Sequence, residues 1–148
     1  GFDNERKNFK SFNNFYLSPI ICYESVYGEY VTEYTRSGSK LFAIITNDGW
    51  WDVSEGHKQH LSYAKLRAIE NRRNIVRSAN TGVSAIINYR GEIEDSIEYG
   101  EEGFINTNVG LIEEKTFYVN YGDYIFRISL FFFIIIGLHF LATIVKIK

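Results

Sequence analysis

The run Ile21-Cys22-Tyr23-Glu24 sets a thiol, a phenol and, one position on, a carboxylate side by side, and Cys22 is the single cysteine among 148 residues. The thiolate is the reactive form of such a side chain, and backbone N–H groups at the start of a helix favour it. The same N–H groups can hold the oxyanion formed when sulfur attacks a carbonyl. Local sequence equally admits Cys22 as a small buried hydrophobe. Glu24 suits a supporting part, because an ionised carboxylate beside a thiolate opposes loss of the thiol proton; a solvated carboxylate at a helix start is the plainer alternative. Tyr23 either borders the reacting group or packs its ring on a sheet with only the hydroxyl exposed.

Other polar and aromatic residues offer less. The Asn47 amide can brace a loop, and Trp50 and Trp51 either contact apolar ligand or fill the loop. His57 and His60 are spaced to share one helical face, but no third metal ligand accompanies them, so surface hydrogen bonding or packing is expected. Arg72, Arg73 and Arg77 lie near Glu70, and intramolecular pairing accounts for them more simply than an anionic ligand does. Glu92, Glu94, Asp95, Glu98, Glu101 and Glu102 read as a solvated acidic stretch without the spacing of a closed ligand set. No cofactor and no metal is assigned.

These side chains need elements to position them. Residues 16–22 read as a strand whose Pro19 fits a start or an edge, so that Cys22 closes it. Ser25 can then cap a helix in which Val26, Tyr30, Val31 and Tyr34 recur at helical spacing, with Gly38 at its exit. Residues 41–46, LFAIIT, predict a strand buried on both faces and ended by Asn47-Asp48-Gly49 turn chemistry. Residues 56–73 predict a long helix with Leu61, Ala64, Ala68 and Ile69 inward. Two short strands are expected at 74–79 and 83–88, another at 104–109, and a polar, aromatic connection at 116–123. Strands alternating with helices place the chain in the α/β class.

Composition excludes several functions. With 18 acidic and 16 basic residues the net charge is −2, which gives no electrostatic grip on nucleic acid. One cysteine excludes an intrachain disulfide framework and a multi-thiolate zinc site. Residues 128–145 carry no formal charge and lie between Arg127 and the lysines Lys146 and Lys148. As a helix they would reach roughly 27 Å, close to the hydrocarbon thickness of a membrane, with Arg127 and Lys146 snorkelling at the ends. The terminal lysines favour a cytoplasmic C-terminus. The start, Gly1 onward, carries no leader, so the chain is expected to be the C-terminal piece of a longer polypeptide.

Six motifs in order resemble the carbon-nitrogen hydrolase, or nitrilase, superfamily, and within it the membrane branch of apolipoprotein N-acyltransferases. They are ICYE at 21–24, TNDGWW at 46–51, HKQH at 57–60, RAIENRR at 67–73, RSANTG at 77–82 and YGDYI at 121–125, followed by the apolar segment. The sequence departs from the family pattern around Asp52, Val53 and Ser54. The resemblance implies the C-terminal part of a nitrilase-like α-β-β-α sandwich over residues 1–125, then a transmembrane helix and basic tail over 126–148. It implies Cys22 as nucleophile, with Tyr23 and Glu24 functional beside it, no cofactor, a phospholipid acyl donor and a diacylglyceryl apolipoprotein acceptor. It also implies the bacterial inner membrane, with the catalytic domain on the periplasmic side. The family's glutamate base and lysine precede the nucleophile in the chain; Glu5 and Lys7 lie in no matching strand context, so this chain is expected to be inactive alone. A membrane-tethered nitrilase-like amidase and a non-catalytic membrane-anchored domain are the competing expectations.

Overall fold

Parallel pairing of three apolar strands puts one residue from each on a common row, and those rows build the core. The computed structural model of the protein describes residues 6–52 and 54–147. Glu5, Val53 and Lys148 lie outside the described residues, as does the side chain of Lys146, expected to end the apolar span. A six-stranded sheet runs in sequence order, β1 (Phe9–Lys10), β2 (Tyr16–Ile21), β3 (Ser39–Asn47), β4 (Asn74–Asn80), β5 (Ser84–Ile87) and β6 (Ile93–Ile97). The three central strands β2, β3 and β4 are parallel, and the outer pairings are antiparallel. Parallel neighbours need crossover connections. Here a 3-10 turn at Cys22–Val26 and α1 (Gly28–Arg36) join β2 to β3, while a 3-10 turn at Gly49–Trp51 and α2 (Gly56–Asn71) join β3 to β4.

The register aligns Ile20 with Ile44 and Arg77, and Phe42 with Ile75 and Ile87. That face is buried against Val31 and Tyr34 of α1 and Ala64 and Ala68 of α2. The small side chains of Ala64 and Ala68 allow close approach of α2, and each fully buried Ile or Phe contributes about 1.5–3 kcal/mol. On the opposite face Ile21 and Ile45 are half exposed. The α/β arrangement expected from the alternating pattern is therefore found.

Several local expectations are corrected. Ser25 belongs to the 3-10 turn and α1 starts at Gly28, because the Ser25 hydroxyl donates to the Cys22 carbonyl at 2.8 Å instead of capping a helix. The long helix stops at Asn71, since Arg72 takes a left-handed conformation with φ +49° and Arg73 turns inward. Arg73 is 1% exposed and donates to the carbonyls of Ser39 at 2.6 Å, Arg72 at 2.8 Å and Glu114 at 2.6 Å; burial pushes its guanidinium down to about 10. Residues 104–109 form no strand: Phe104 is exposed, and β6 has no partner on its outer side among the described residues. Instead, Asn74 Nδ2 donates to the Gly110 carbonyl at 2.8 Å and holds the irregular segment against β4. Residues 116–123 contain a short helix, α3 (Phe117–Tyr121), whose first turn is capped by Thr116 Oγ1 accepting from Val119 N at 3.1 Å.

The final helix, α4 (Tyr124–Ile147), begins before the predicted span. Its portion Tyr124–Ile144 has mean hydropathy 2.3 and no buried residues in its most apolar stretch, so by length and composition it can cross a membrane. Its start is tied to α1 by one carboxylate oxygen: Glu29 Oε1 accepts from Asp123 N at 2.8 Å and Arg127 Nη2 at 2.7 Å. Gly122 precedes this contact with φ +65°, a conformation that favours glycine, and a Cβ there would collide with the carboxylate.

Candidate active site

Cys22 follows β2 with φ +50°, in the left-handed region that costs a non-glycine residue about 1–2 kcal/mol. The backbone is held on both sides of it. Ile21 N donates to Glu24 Oε2 at 2.8 Å, the Ser25 hydroxyl donates to the Cys22 carbonyl, and His60 Nε2 lies 3.3 Å from that carbonyl and 3.0 Å from Ser25 Oγ. The other Glu24 oxygen accepts from the Tyr30 hydroxyl at 2.8 Å. Glu24 therefore braces the sharp turn through its backbone. Tyr23 is half exposed, with its ring edge-on to Tyr27 at 6.0 Å and 6.3 Å from the His60 ring.

The sulfur is partly buried, and Thr46 Oγ1 lies 3.3 Å from it. Beneath the sulfur is a closed polar cluster. Asp48 Oδ1 accepts from Thr46 Oγ1 at 2.9 Å and lies 2.9 Å from His60 Nδ1, while Arg77 Nη2 donates to Asp48 Oδ2 at 2.5 Å. A carboxylate only accepts, so Nδ1 carries hydrogen in this pairing. Asp48 is fully buried and His60 and Arg77 nearly so. Burial pushes the Asp48 carboxyl up, but hydrogen bonds from His60, Arg77 and Thr46 and the Arg77 charge outweigh it, holding the group at about 2.

A small cleft of about 150 Å3 lies beside the turn, lined by Tyr23, Trp51, His60 and Tyr63 among others. A wider depression, about 770 Å3, lies at the other end of α2 around Ile69, Arg72 and Tyr89 and contains no thiol. The chemistry favours the smaller space. The buried Asp48 carboxylate in turn depends on Gly82, where a Cβ would stand 2.5 Å from Asp48 Oδ2 and 2.7 Å from Asp48 Cβ. Asp48 cannot yield without losing its partners, so Gly82→Ala is expected to destabilise the full-length protein by roughly 1–3 kcal/mol. A lowered thermal unfolding midpoint checks this.

The remaining polar residues fall as follows. Asn47 Oδ1 accepts from Gly49 N at 3.1 Å and braces the loop. Trp51 packs on His60 with ring centroids 5.2 Å apart, whereas Trp50 is exposed. The expected packing and hydrogen bonding of the two histidines are found, but not at the surface, because both are buried: His57 packs on Tyr99 at 4.6 Å and His60 joins the polar cluster. Among the described residues no group of metal-ligating side chains is assembled. The arginines do pair within the molecule, but Glu70 pairs with Arg67, Arg72 with Glu114 and Arg77 with Asp48. Thr46, Asp48, His60 and Ser25 are site residues that sequence reasoning missed. Arg77 carried the available signal, since strand alternation puts it on the same inward face as Ile75, where a lone charge is costly.

The sequence that builds this site and sheet matches, over residues 11–113, a family model described as carbon-nitrogen hydrolase. The chain belongs to the carbon-nitrogen hydrolase family. This carbon-nitrogen hydrolase chain is similar to an apolipoprotein N-acyltransferase of Geobacter metallireducens, with 41% identity over 104 residues, 70% of this chain and 20% of that protein. A second apolipoprotein N-acyltransferase, from Wigglesworthia glossinidia brevipalpis, is 32% identical over 147 residues, 99% of this chain and 28% of the relative. The chain thus spans about a fifth to somewhat over a quarter of these relatives' length. A crystal structure of a carbon-nitrogen hydrolase from Helicobacter pylori G27 superposes with TM-score 0.61 at 13% identity, covering 68% of this chain and 42% of that one, and shows the nitrilase-like fold.

Proposed function

We propose that this chain is the C-terminal part of a membrane acyltransferase that moves a fatty acyl group from a phospholipid, through a thioester on Cys22, to the N-terminal amine of a diacylglyceryl apolipoprotein. The observation that carries the reading is the partly buried Cys22, held in a left-handed turn by bonds to the Ile21 N–H and its own carbonyl, with a hydroxyl 3.3 Å from its sulfur. The names of the curated relatives support the substrates, and α4 supports a membrane setting.

In the full-length protein an upstream glutamate takes the thiol proton and Cys22 Sγ attacks the ester carbonyl. The tetrahedral intermediate collapses, its C–O bond breaks, and the lysophospholipid alcohol leaves with that proton. The acceptor's α-amine then attacks the thioester, losing a proton to the base, and the thiol is regenerated. An upstream lysine and backbone N–H groups hold the oxyanion in each half-reaction. No metal or diffusible cofactor enters this scheme. Glu24 serves as a positioning residue and Tyr23 borders the cleft. Residues 1–125 supply the catalytic part, on the periplasmic face of a bacterial inner membrane, and residues 126–148 the anchor with a cytoplasmic C-terminus.

The test is mass spectrometry of the full-length protein after incubation with phospholipid and a diacylglyceryl lipopeptide. The expected result is an acyl adduct on the Cys22 peptide and a new amide on the acceptor. Release of free fatty acid with no amide would make the protein a hydrolase, and turnover without labelling of Cys22 would overturn the nucleophile. Residues 1–148 alone are expected to show no turnover, because the glutamate and lysine are supplied from outside them.

A further inference from the structure

Thr46 lies at the C-terminal end of β3 with its side chain on the core face and is 6% exposed. The pairing of Ile21 with Ile45 brings the next residue of each chain segment, Cys22 and Thr46, to the same level. Its oxygen stands 3.3 Å from Cys22 Sγ and 2.9 Å from Asp48 Oδ1, so one hydroxyl joins the sulfur to a buried carboxylate. A hydroxyl has one proton to donate and two lone pairs. Asp48, facing Arg77 and His60, only accepts. With Cys22 as a thiol the chain of donors runs from S–H to the Thr46 oxygen and from the Thr46 O–H to Asp48.

Loss of the thiol proton reverses the demand at sulfur, which then needs a donor. Rotation about the Thr46 Cβ–Oγ1 bond supplies one and moves no heavy atom, while Asp48 keeps its contacts with His60 and Arg77. We propose that Thr46 is a further catalytic residue, whose hydroxyl turns from Asp48 to Cys22 Sγ as the thiolate forms and holds the charged sulfur through the reaction. This rests on the reading of Cys22 as nucleophile. The thiol proton itself goes to the general base, and the Thr46 proton stays on its own oxygen. The charged and titratable groups around the pair are Tyr23 and Glu24 from the 3-10 turn, Asp48 after β3, His60 from α2 and Arg77 from β4. The Glu24 carboxylate is already engaged by Ile21 N and the Tyr30 hydroxyl.

Peptide-resolved alkylation of Cys22 by iodoacetamide, followed across pH in the full-length protein in detergent, tests this. Thr46→Val keeps the shape and removes the donor; Thr46→Ser keeps the donor. Loss of one hydrogen bond to a charged group is expected to raise the midpoint of the rate profile by about 1 pH unit in the valine variant, slowing alkylation about tenfold below it. The serine variant is expected to keep the wild-type midpoint. Thr46→Ala gives the same comparison if valine does not fit. Superimposed wild-type and valine profiles would overturn the proposal, as would an equal shift in serine and valine, which would mean packing alone. Alkylation needs no lipid substrate, so a shifted midpoint in a protein that forms no acyl adduct would keep the role of Thr46 and discard the acyl-transfer reading.

Discussion

Cys22→Ser in the full-length protein is expected to abolish acyl transfer, with a fall on the order of 10⁴-fold in kcat/KM. A thiol ionises near pH 8.5 and a hydroxyl far higher, so the serine oxygen stays protonated where the sulfur becomes a nucleophile. The substitution leaves the turn intact, because the bonds that hold it run to the Ile21 N–H and the Cys22 carbonyl and not to the side chain. An unchanged thermal unfolding midpoint with lost transfer separates chemistry from folding. Retained turnover in the serine variant would end the thioester mechanism.

Asp48→Asn is expected to produce the largest loss of stability, about 3–5 kcal/mol, because it leaves the Arg77 guanidinium buried without its counter-charge. Arg77→Met in the same chain is expected to restore part of that loss, since it removes the charge left buried without a partner. Thermal unfolding of the single and double variants checks both. The wild-type carboxyl, held at about 2 against an ordinary 3.8, contributes about 2 kcal/mol that is fully present above pH 4 and is lost as pH falls through 2. The asparagine variant lacks that acid-dependent component. A steep loss of stability between pH 4 and 2 in wild type and a flatter one in the variant is the expected pair of curves.

The strands were legible where apolar runs coincide with parallel pairing. LFAIIT reads as a doubly buried strand, and β3 is that run extended to Ser39–Asn47. The strand before Cys22 was legible, but it stops at Ile21 and Cys22 opens the 3-10 turn; its left-handed φ was not legible, because that conformation is imposed by Glu24, Ser25 and His60 from outside the residue. Asp48 was hidden for a different reason. Asn47-Asp48-Gly49 carries ordinary turn chemistry, and the burial of its carboxylate depends on Arg77 and His60, which reach it only once the crossover from β3 to β4, with α2 in it, is in place. The 104–109 segment shows the converse. Its apolar residues have strand composition but do not pair with the open side of β6, and pairing decides strand formation more than composition does.

Glu29 stands on the first turn of α1, shortly after the turn that presents the sulfur, and its carboxylate also grips the entrance of α4 through Asp123 N and Arg127. Reactive atom and apolar rod are thus hung from one end of the same short helix. A residue added or removed in the 3-10 turn between Cys22 and α1 would displace that carboxylate relative to the thiol, and Arg127 with it. The placement of thiol and anchor relative to each other is consequently fixed by the length of that connector.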